Sequence, residues 1–243
     1  MAGKKERGNY GIDAPNVVRS LCAIGAILIA AAAAALDLLN GVWLKALSVW
    51  GGAIGVLCWA EAAWMLWSSK RGKRKVVRKL IEALRLSPDD SVLDVGCGRG
   101  MVLTGVAKRL IGGKAVGIDI WNANDQSGNS PGATMRNAAA EGVSDRIQVV
   151  NADARRLPFE DGAFDAVASS LAIHNISERR ERRKAIKEIV RVTGPNGRIA
   201  LLDFRNVREY AEAMSEAGLA EVRVSGLHFS MFPPVRIVTG TKS

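Results

Sequence analysis

Ser91–Gly100 reads SVLDVGCGRG. A short apolar run, Ser91 to Val95, passes directly into a loop with glycine at 96, 98 and 100. MVLTGVAKRL, from Met101 to Leu110, then reads as an amphipathic helix. Strand, glycine turn and helix together form the layout that holds a nucleotide-like ligand at a helix N-terminus. The next strand, KAVGIDI, carries Asp119 near its end, where a carboxylate can accept both hydroxyls of a ribose.

A nicotinamide dinucleotide is the first ligand to weigh. Its loop needs glycine at the first, third and sixth positions. Counted from Gly96, the sixth position is Met101. The third glycine comes one residue early, at Gly100, and Asp94 precedes the first glycine by two. This D-x-G-x-G-x-G pattern resembles motif I of class I S-adenosylmethionine (SAM)-dependent methyltransferases. Later segments match that family in order. Ile147–Asn151 is a third strand followed by Ala152-Asp153-Ala154, and LPFEDGAFDAVASSLAIHNI resembles the fourth-strand region. SERRERRKAIKEIVRVTGPNGRIALLDF resembles the following helix, turn and fifth strand. A helix near Val207–Ala217 and two strands, AEVRVSGL and PVRIVTGT, complete the chain.

The resemblance runs from about Lys73 to the end. It implies an α/β, Rossmann-like seven-stranded fold with the last strand antiparallel. It also implies that Asp94, Gly96, Cys97, Gly98 and Gly100 shape the pocket for the methionine part of SAM. Asp119 would hold the ribose and Ile120 the adenine face. Asp153 and Ala154 would meet the adenine edge, and Ser170 would sit beside the methyl group. For each acid the plainer alternative is a loop-capping carboxylate.

The activated methyl already sits on a sulfonium, so the protein must mainly align a nucleophile and exclude water. A base is needed only if the nucleophile carries a proton. His174 and Asn175, just past the fourth strand, are the catalytic candidates: His174 as base, Asn175 as an orienting amide. The alternative for His174 is a brace within its loop. Trp121–Gly132, WNANDQSGNSPG, is a long polar connection after Asp119. Trp121, Asp125, Gln126 and Asn129 are candidates for the cofactor or acceptor pocket. MFPPV, Met231–Val235, is expected to cover the acceptor. ERRERRK, Glu178–Lys184, reads as a solvated helix face. Three cysteines, Cys22, Cys58 and Cys97, form no metal-ligand spacing, so no metal is expected.

Upstream the composition changes. Two apolar stretches, about 17–36 and 43–67, are each long enough to cross a hydrocarbon core of about 30 Å at about 1.5 Å per residue. Asn40-Gly41 punctuates the short connection between them, which fits only a tight hairpin. A signal peptide rivals the first stretch, with Lys4, Lys5 and Arg7 as its basic end. Two core helices of a soluble protein form a third possibility; Trp43, Trp50, Trp59, Trp64 and Trp67 favour a membrane. Gly51-x-x-x-Gly55 and the Ala26, Ala30, Ala34 ladder offer close helix contacts, within the hairpin or between copies. Glu61 lies inside the second stretch near its inner end; it either pairs with a basic neighbour or lines a lateral entrance for substrate.

The formal net charge of +10 is concentrated. Residues 70–85 carry eight Lys and Arg against Glu82, whereas 86–243 hold 21 basic and 19 acidic residues. That distribution suits anionic headgroups rather than a nucleic-acid groove. The expected organisation is therefore 1–69 as a tail with two transmembrane helices, 70–90 as a basic juxtamembrane helix or linker, and 91–243 as the methyltransferase domain. Lys and Arg at both ends of the hairpin place the N-terminus and the domain in the cytoplasm. The expected function is methylation of a small, lipophilic acceptor such as a quinone, isoprenoid or amine lipid. The expected partners are membrane lipids and, through the spans, another copy of the chain. The alternatives are a soluble acceptor with an anchoring hairpin, and a non-catalytic SAM-binding scaffold.

Overall fold

The computed structural model describes residues 8–38, 40–121 and 128–243. Seven strands form one sheet: β1 (Ser91–Val95), β2 (Lys114–Asp119), β3 (Ile147–Asn151), β4 (Phe164–Ser170), β5 (Thr193–Asp203), β6 (Leu219–Val224) and β7 (Arg236–Lys242). Their order is β3-β2-β1-β4-β5-β7-β6. Every pair from β3 to β5 is parallel, and β7 runs antiparallel to both β5 and β6. The expected seven-stranded, Rossmann-like sheet with an antiparallel last strand is therefore present.

The helices of this domain are α3 (Lys73–Ala83), α4 (Met101–Ala107), α5 (Pro131–Glu141), α6 (Arg179–Val192) and α7 (Val207–Glu216). They cover both faces of the sheet. One core joins α3 and α4 to the sheet through Leu80, Leu84, Leu103 and Ala166. The other joins α6 and α7 to it through Leu93, Ile186, Ile189 and Tyr210. β1 is buried on both sides, so its apolar run does not alternate. Strand order reverses between β1 and β4, which is where an open α/β sheet leaves a crevice at its carboxyl ends.

The basic run is helical and belongs to the domain. Val76, Val77, Leu80, Ile81 and Leu84 turn inward, while Arg74, Lys75, Arg78 and Lys79 face out. Each fully buried aliphatic side chain contributes about 1.5–3 kcal/mol, so the inner face fixes α3 and the charges ride on its back.

Two long helices precede the domain, α1 (Pro15–Leu38) and α2 (Val42–Trp67). A π-helical turn, Ser68–Gly72, carries α2 into α3, so Val42–Ala83 is one continuous helix of 42 residues. α1 and α2 pack as a hairpin along a seven-residue spacing: Val18, Gly25 and Ala32 against Ser48, Gly55 and Ala62. Gly25 and Gly55 face each other. A Cβ on Gly25 would lie 2.8 Å from the Gly55 carbonyl oxygen and 2.5 Å from the Trp59 ring. Of the expected small-residue positions, Gly55 lies in this contact and the others do not. Gly51 has nothing within 4 Å of a Cβ, and Ala26, Ala30 and Ala34 are exposed. Most of the hairpin surface is apolar and open, including Trp43, Trp50, Ile27 and Leu47. Both helices are long and apolar enough to cross a membrane.

Candidate functional site

The loop after β1 is held by its own amides. Gly96 and Cys97 N–H groups both donate to the Ile118 carbonyl, Gly98 N–H donates to Asp119 Oδ2 at 2.9 Å, and Gly100 N–H donates to Cys97 O. These donors are spent inside the protein, so they are not presented as a phosphate cradle. Glycine is required at two points. Gly96 has φ 73°, and a Cβ there would lie 2.1 Å from the Ala172 Cβ. Gly100 has φ 80° where the loop enters α4, with Thr134 Cγ2 2.8 Å from a Cβ position.

A cavity of about 630 Å³ opens at the carboxyl ends of β1, β2 and β4. Of the expected cofactor residues, Asp94, Gly96, Cys97, Gly98, Asp119, Ile120, Asp153, Ala154 and Ser170 line it. Gly100 does not; its part is the turn into the helix. Asp94 is 1% exposed, and no described residue gives either carboxylate oxygen a hydrogen bond of acceptable geometry. Burial pushes its pKa up to about 7, with the Leu103 amide opposing and the Asp119 charge adding to the rise. Burial also raises the Cys97 thiol well above its ordinary range, which makes it an inert wall rather than a nucleophile.

Asp119 holds the loop from below. Besides Gly98, it accepts the Trp121 N–H at 2.7 Å and the Asn129 amide at 3.3 Å. Asp153 accepts the Arg155 guanidinium, with Nε 2.9 Å from Oδ2, and Arg155 holds it below the usual carboxylate range. Both acids thus cap loops and line the cavity at once.

On the β4 side, Ser170 Oγ is buried with no partner among the described residues. Leu171 follows with φ 56°, a costly conformation for a side-chain-bearing residue, and its N–H donates to Leu202 O. That bend carries His174 and Asn175 into the cavity wall. His174 Nδ1 lies 2.9 Å from Oδ1 and 3.1 Å from Oδ2 of Asp203, which is itself 1% exposed. The Tyr210 hydroxyl donates to Asp203 Oδ2 at 3.1 Å and the Phe204 N–H to Oδ1 at 2.8 Å. Beside the Asp203 charge, buried Tyr210 is pushed far above the ordinary phenol range. In the neutral imidazole, an ionised Asp203 as acceptor selects the tautomer with the hydrogen on Nδ1 and the lone pair on Nε2. The Phe204 ring packs against the imidazole at 4.7 Å. His174 is therefore braced and also chemically available.

Other expected residues fall differently. Asn129 lines the cavity, and its Oδ1 is buried without a described partner. Trp121 does not line it; the ring packs on the α3–α4 core and its backbone anchors Asp119. Asp125 and Gln126 lie outside the described residues. Glu61 does not reach the cavity and has no ion-pair partner among the described residues; Met65, one turn further along α2, lines the cavity instead. Met231, Phe232, Pro233 and Val235 do cover it. The charged start of α6 is more than a solvated face, because Arg182 is buried, pairs with Glu209 and donates to the Ile176 and Ser177 carbonyls below His174.

Several lining residues carried no signal in the sequence. Residues 8–14, ahead of α1, form a strap. The Gly8 N–H donates to Glu141, Asn137 donates to both Asn9 O and Arg99 O, and the Tyr10 hydroxyl sits 2.7 Å from Thr104 Oγ1. Asp13 pairs with Lys73 at 2.8 Å and takes Ser69 Oγ on its N–H. Tyr10, Asp13, Ala14, Met65, Lys73 and Val77 all line the same cavity. Asp203 and Tyr210 were equally silent. A fifth-strand acid looks like any strand terminus until His174 is placed beside it.

Orphaned acceptors on Asp94, Ser170 and Asn129, at a glycine-shaped loop, suit a cationic amino-acid-bearing nucleoside. Sheet order and cavity define a Rossmann-like methyltransferase fold. Residues 93–201 match the family described as a methyltransferase domain. The chain is 34% identical to the sterol 4-C-methyltransferase of Caenorhabditis elegans over 54% of its length and 36% of that protein. It is 36% identical to a demethylmenaquinone methyltransferase of Mycolicibacterium gilvum over 51% and 46% of the two chains. A probable chloroplastic tocopherol O-methyltransferase of Oryza sativa is 30% identical over 72% and 47%. The chain thus spans less than half the length of each of these relatives. Geranyl diphosphate methyltransferase in complex with SAM superposes with a TM-score of 0.58 at 16% identity, covering 75% of this chain and 90% of that one. The [4+2]-cyclase SpnF superposes at 0.59 and 19%, covering 72% and 83%. Over residues 93–201 the chain is thus similar to methyltransferase domains, and the sheet has their fold. The SpnF likeness is a reminder that this fold also carries other chemistry.

Proposed function

We propose that the protein methylates a small lipophilic acceptor at a membrane surface, with SAM as donor. One observation carries this reading: the cavity is walled by the cofactor loop, by His174, by Met65 of the apolar hairpin and by the strap ahead of it. Relatives whose names specify sterol, menaquinone and tocopherol substrates lend support.

When bound, the cofactor supplies an electrophilic methyl group. Asp94 would hold the amino-acid end, the Asp119 and Asp153 region the nucleoside, and Ser170 the neighbourhood of the methyl. His174 Nε2 would take the acceptor's proton while Asp203 keeps the ring oriented and stabilises the imidazolium. Asn175 is exposed at the cavity wall, where its amide would orient a polar head. The hairpin would span the bilayer, with the N-terminus and the domain in the cytoplasm. The Tyr10–Thr104 contact supports a common side, since two crossings return the chain to the side on which it began. The open Ala26, Ala30, Ala34 face would be available to a second copy.

The test is incubation of the purified full chain in nanodiscs with methyl-labelled SAM and a native lipid extract, followed by mass spectrometry. A labelled lipid-phase product is expected. SAM binding with no labelled product would make the protein a non-catalytic binder instead.

A further inference from the structure

The polar head of an acceptor accounts for only part of the cavity wall. The remaining lining is apolar and comes from two separated segments. Met65 projects from α2, and Met231, Phe232 and Pro233 come from the loop before β7. The two segments are fastened together. Ser68 Oγ accepts the Phe232 N–H at 2.8 Å, and the Trp64 and Phe232 rings lie 4.9 Å apart. Gly72 sits so close to the Ser230 carbonyl that a Cβ would lie 1.6 Å from its oxygen.

Met65 belongs to two surroundings at once. It lines the cavity, and it packs with Val18 and Ala62 inside the hairpin, where Phe232 joins them. Its α2 neighbours Trp64 and Trp67 are exposed. Only the contact between α2 and the Met231–Pro233 loop therefore separates the cavity from the hairpin's open apolar surface. Lys73 Nζ is paired with Asp13 Oδ1 at 2.8 Å, while Lys70 and Arg71 of the adjoining turn are exposed. An apolar seam running from a polar head site to an apolar surface, with cations at its outer rim, suits one long hydrocarbon chain attached to that head.

We propose that this seam is a tail-binding portal. The acceptor carries an isoprenoid or long aliphatic chain, which displaces the Phe232 side chain from the Met65 cluster, passes between the two and lies on the hairpin while its head sits at His174. This rests on the lipophilic-acceptor reading and narrows it to tailed acceptors. It moves the expected lateral entrance from Glu61 to Met65, the residue that actually lines the cavity. Methionine suits the place, since its unbranched thioether adapts to chains of different shape.

The test uses the full chain in phosphatidylcholine nanodiscs with S-adenosylhomocysteine present. One probe is a hydroquinone bearing a farnesyl chain with a diazirine on that chain. The other is a phosphatidylcholine with a diazirine on its acyl chain. Photolabelled peptides are mapped by mass spectrometry. The farnesyl probe is expected to label Met65 and the Met231–Pro233 loop, and the phosphatidylcholine probe only outward positions such as Leu47 and Val56. Met65→Trp should reduce farnesyl labelling of the loop at least fivefold, as should Ala14→Trp on another part of the wall; Leu47→Trp should not. Equal labelling of the loop by phosphatidylcholine would make the seam a lipid contact and overturn the portal, as would farnesyl labelling confined to outward residues. Failure of methyl transfer is read separately with labelled SAM. Loop labelling without any product would sink the enzymatic reading and leave the portal standing. Product without loop labelling would do the reverse.

Discussion

Tyr10 and Thr104 are 94 positions apart in sequence, yet their hydroxyl oxygens lie 2.7 Å from each other. Thr104 donates in turn to Gly100 O at 2.7 Å, so the strap ahead of the hairpin reaches the cofactor loop through two hydrogen bonds. The phenol is buried, and burial pushes its pKa up to about 12. It therefore stays protonated across the working range and keeps its role as a neutral bridge.

Tyr10→Phe removes this bridge while keeping the ring. A net hydrogen bond contributes about 1 kcal/mol, equivalent to about fivefold in a dissociation constant. SAM affinity by titration calorimetry should weaken by about that factor, with secondary structure unchanged. An unaltered affinity would mean that the strap covers the pocket without shaping it.

Asp94 should make SAM binding depend on pH. Its pKa in the ligand-free fold is about 7, raised from an ordinary 3.8. Its contribution to the stability of the ligand-free protein is therefore complete below about pH 4 and lost as pH rises through about 7. Binding of a cationic ammonium favours the carboxylate, so affinity should run the other way. It should be high at pH 8 and about tenfold or more weaker at pH 5.5. Asp94→Asn should bind weakly at both pH values. A flat profile for the unmodified protein would remove Asp94 from contact with the ammonium.

His174 and Asp203 should act as a unit. A positioned base contributes on the order of 10²–10⁴ in rate, so His174→Ala should lower kcat at least a hundredfold for a proton-bearing acceptor. Asp203→Asn should lower kcat about tenfold or more, with acceptor KM within about threefold. The double variant should be little worse than His174→Ala, because groups in one network are not additive. Additive losses would leave Asp203 as a structural acid for Tyr210 and the Phe204 turn.

The hairpin seam makes an opposite pair of predictions for two glycines. Gly25→Val places a side chain against the Gly55 carbonyl and the Trp59 ring. Overpacking costs about 1–3 kcal/mol, so the thermal midpoint in detergent should fall. Gly51→Ala meets nothing within 4 Å and should stay within about 0.5 kcal/mol of the parent. The reverse ranking would mean that the helices pack on the Gly51 side.

What was legible in the sequence is what local chemistry encodes. The glycine loop and the acids at three strand ends are each written within a few residues, and the structure places them at the carboxyl ends of the strands; the two apolar stretches form a helical hairpin. Glu61 and Met65 show the limit. The acid drew attention because it is rare among apolar neighbours, but the helical phase relative to the loop before β7 decides which residue faces the cavity, and that phase is fixed by contacts at Ser68 and Gly72. Asp203 and Tyr10 illustrate the same point. Each acquires its role from a partner tens of residues away, and neither sits in a periodic pattern. Trp121 sits in a loop at the ligand end of the sheet, yet it packs on the core, a placement that its polar neighbours in sequence do not announce.

In the proposed function the acceptor arrives from the bilayer, past Met65 of the hairpin. Surface-dilution kinetics test this most directly. The full chain in vesicles is given methyl-labelled SAM and a tailed hydroquinone below saturation, and inert phosphatidylcholine is added while the bulk acceptor concentration stays fixed. Tenfold dilution within the membrane should lower the rate about tenfold. A rate that follows bulk concentration alone, indifferent to the membrane mole fraction, would contradict delivery through the hairpin.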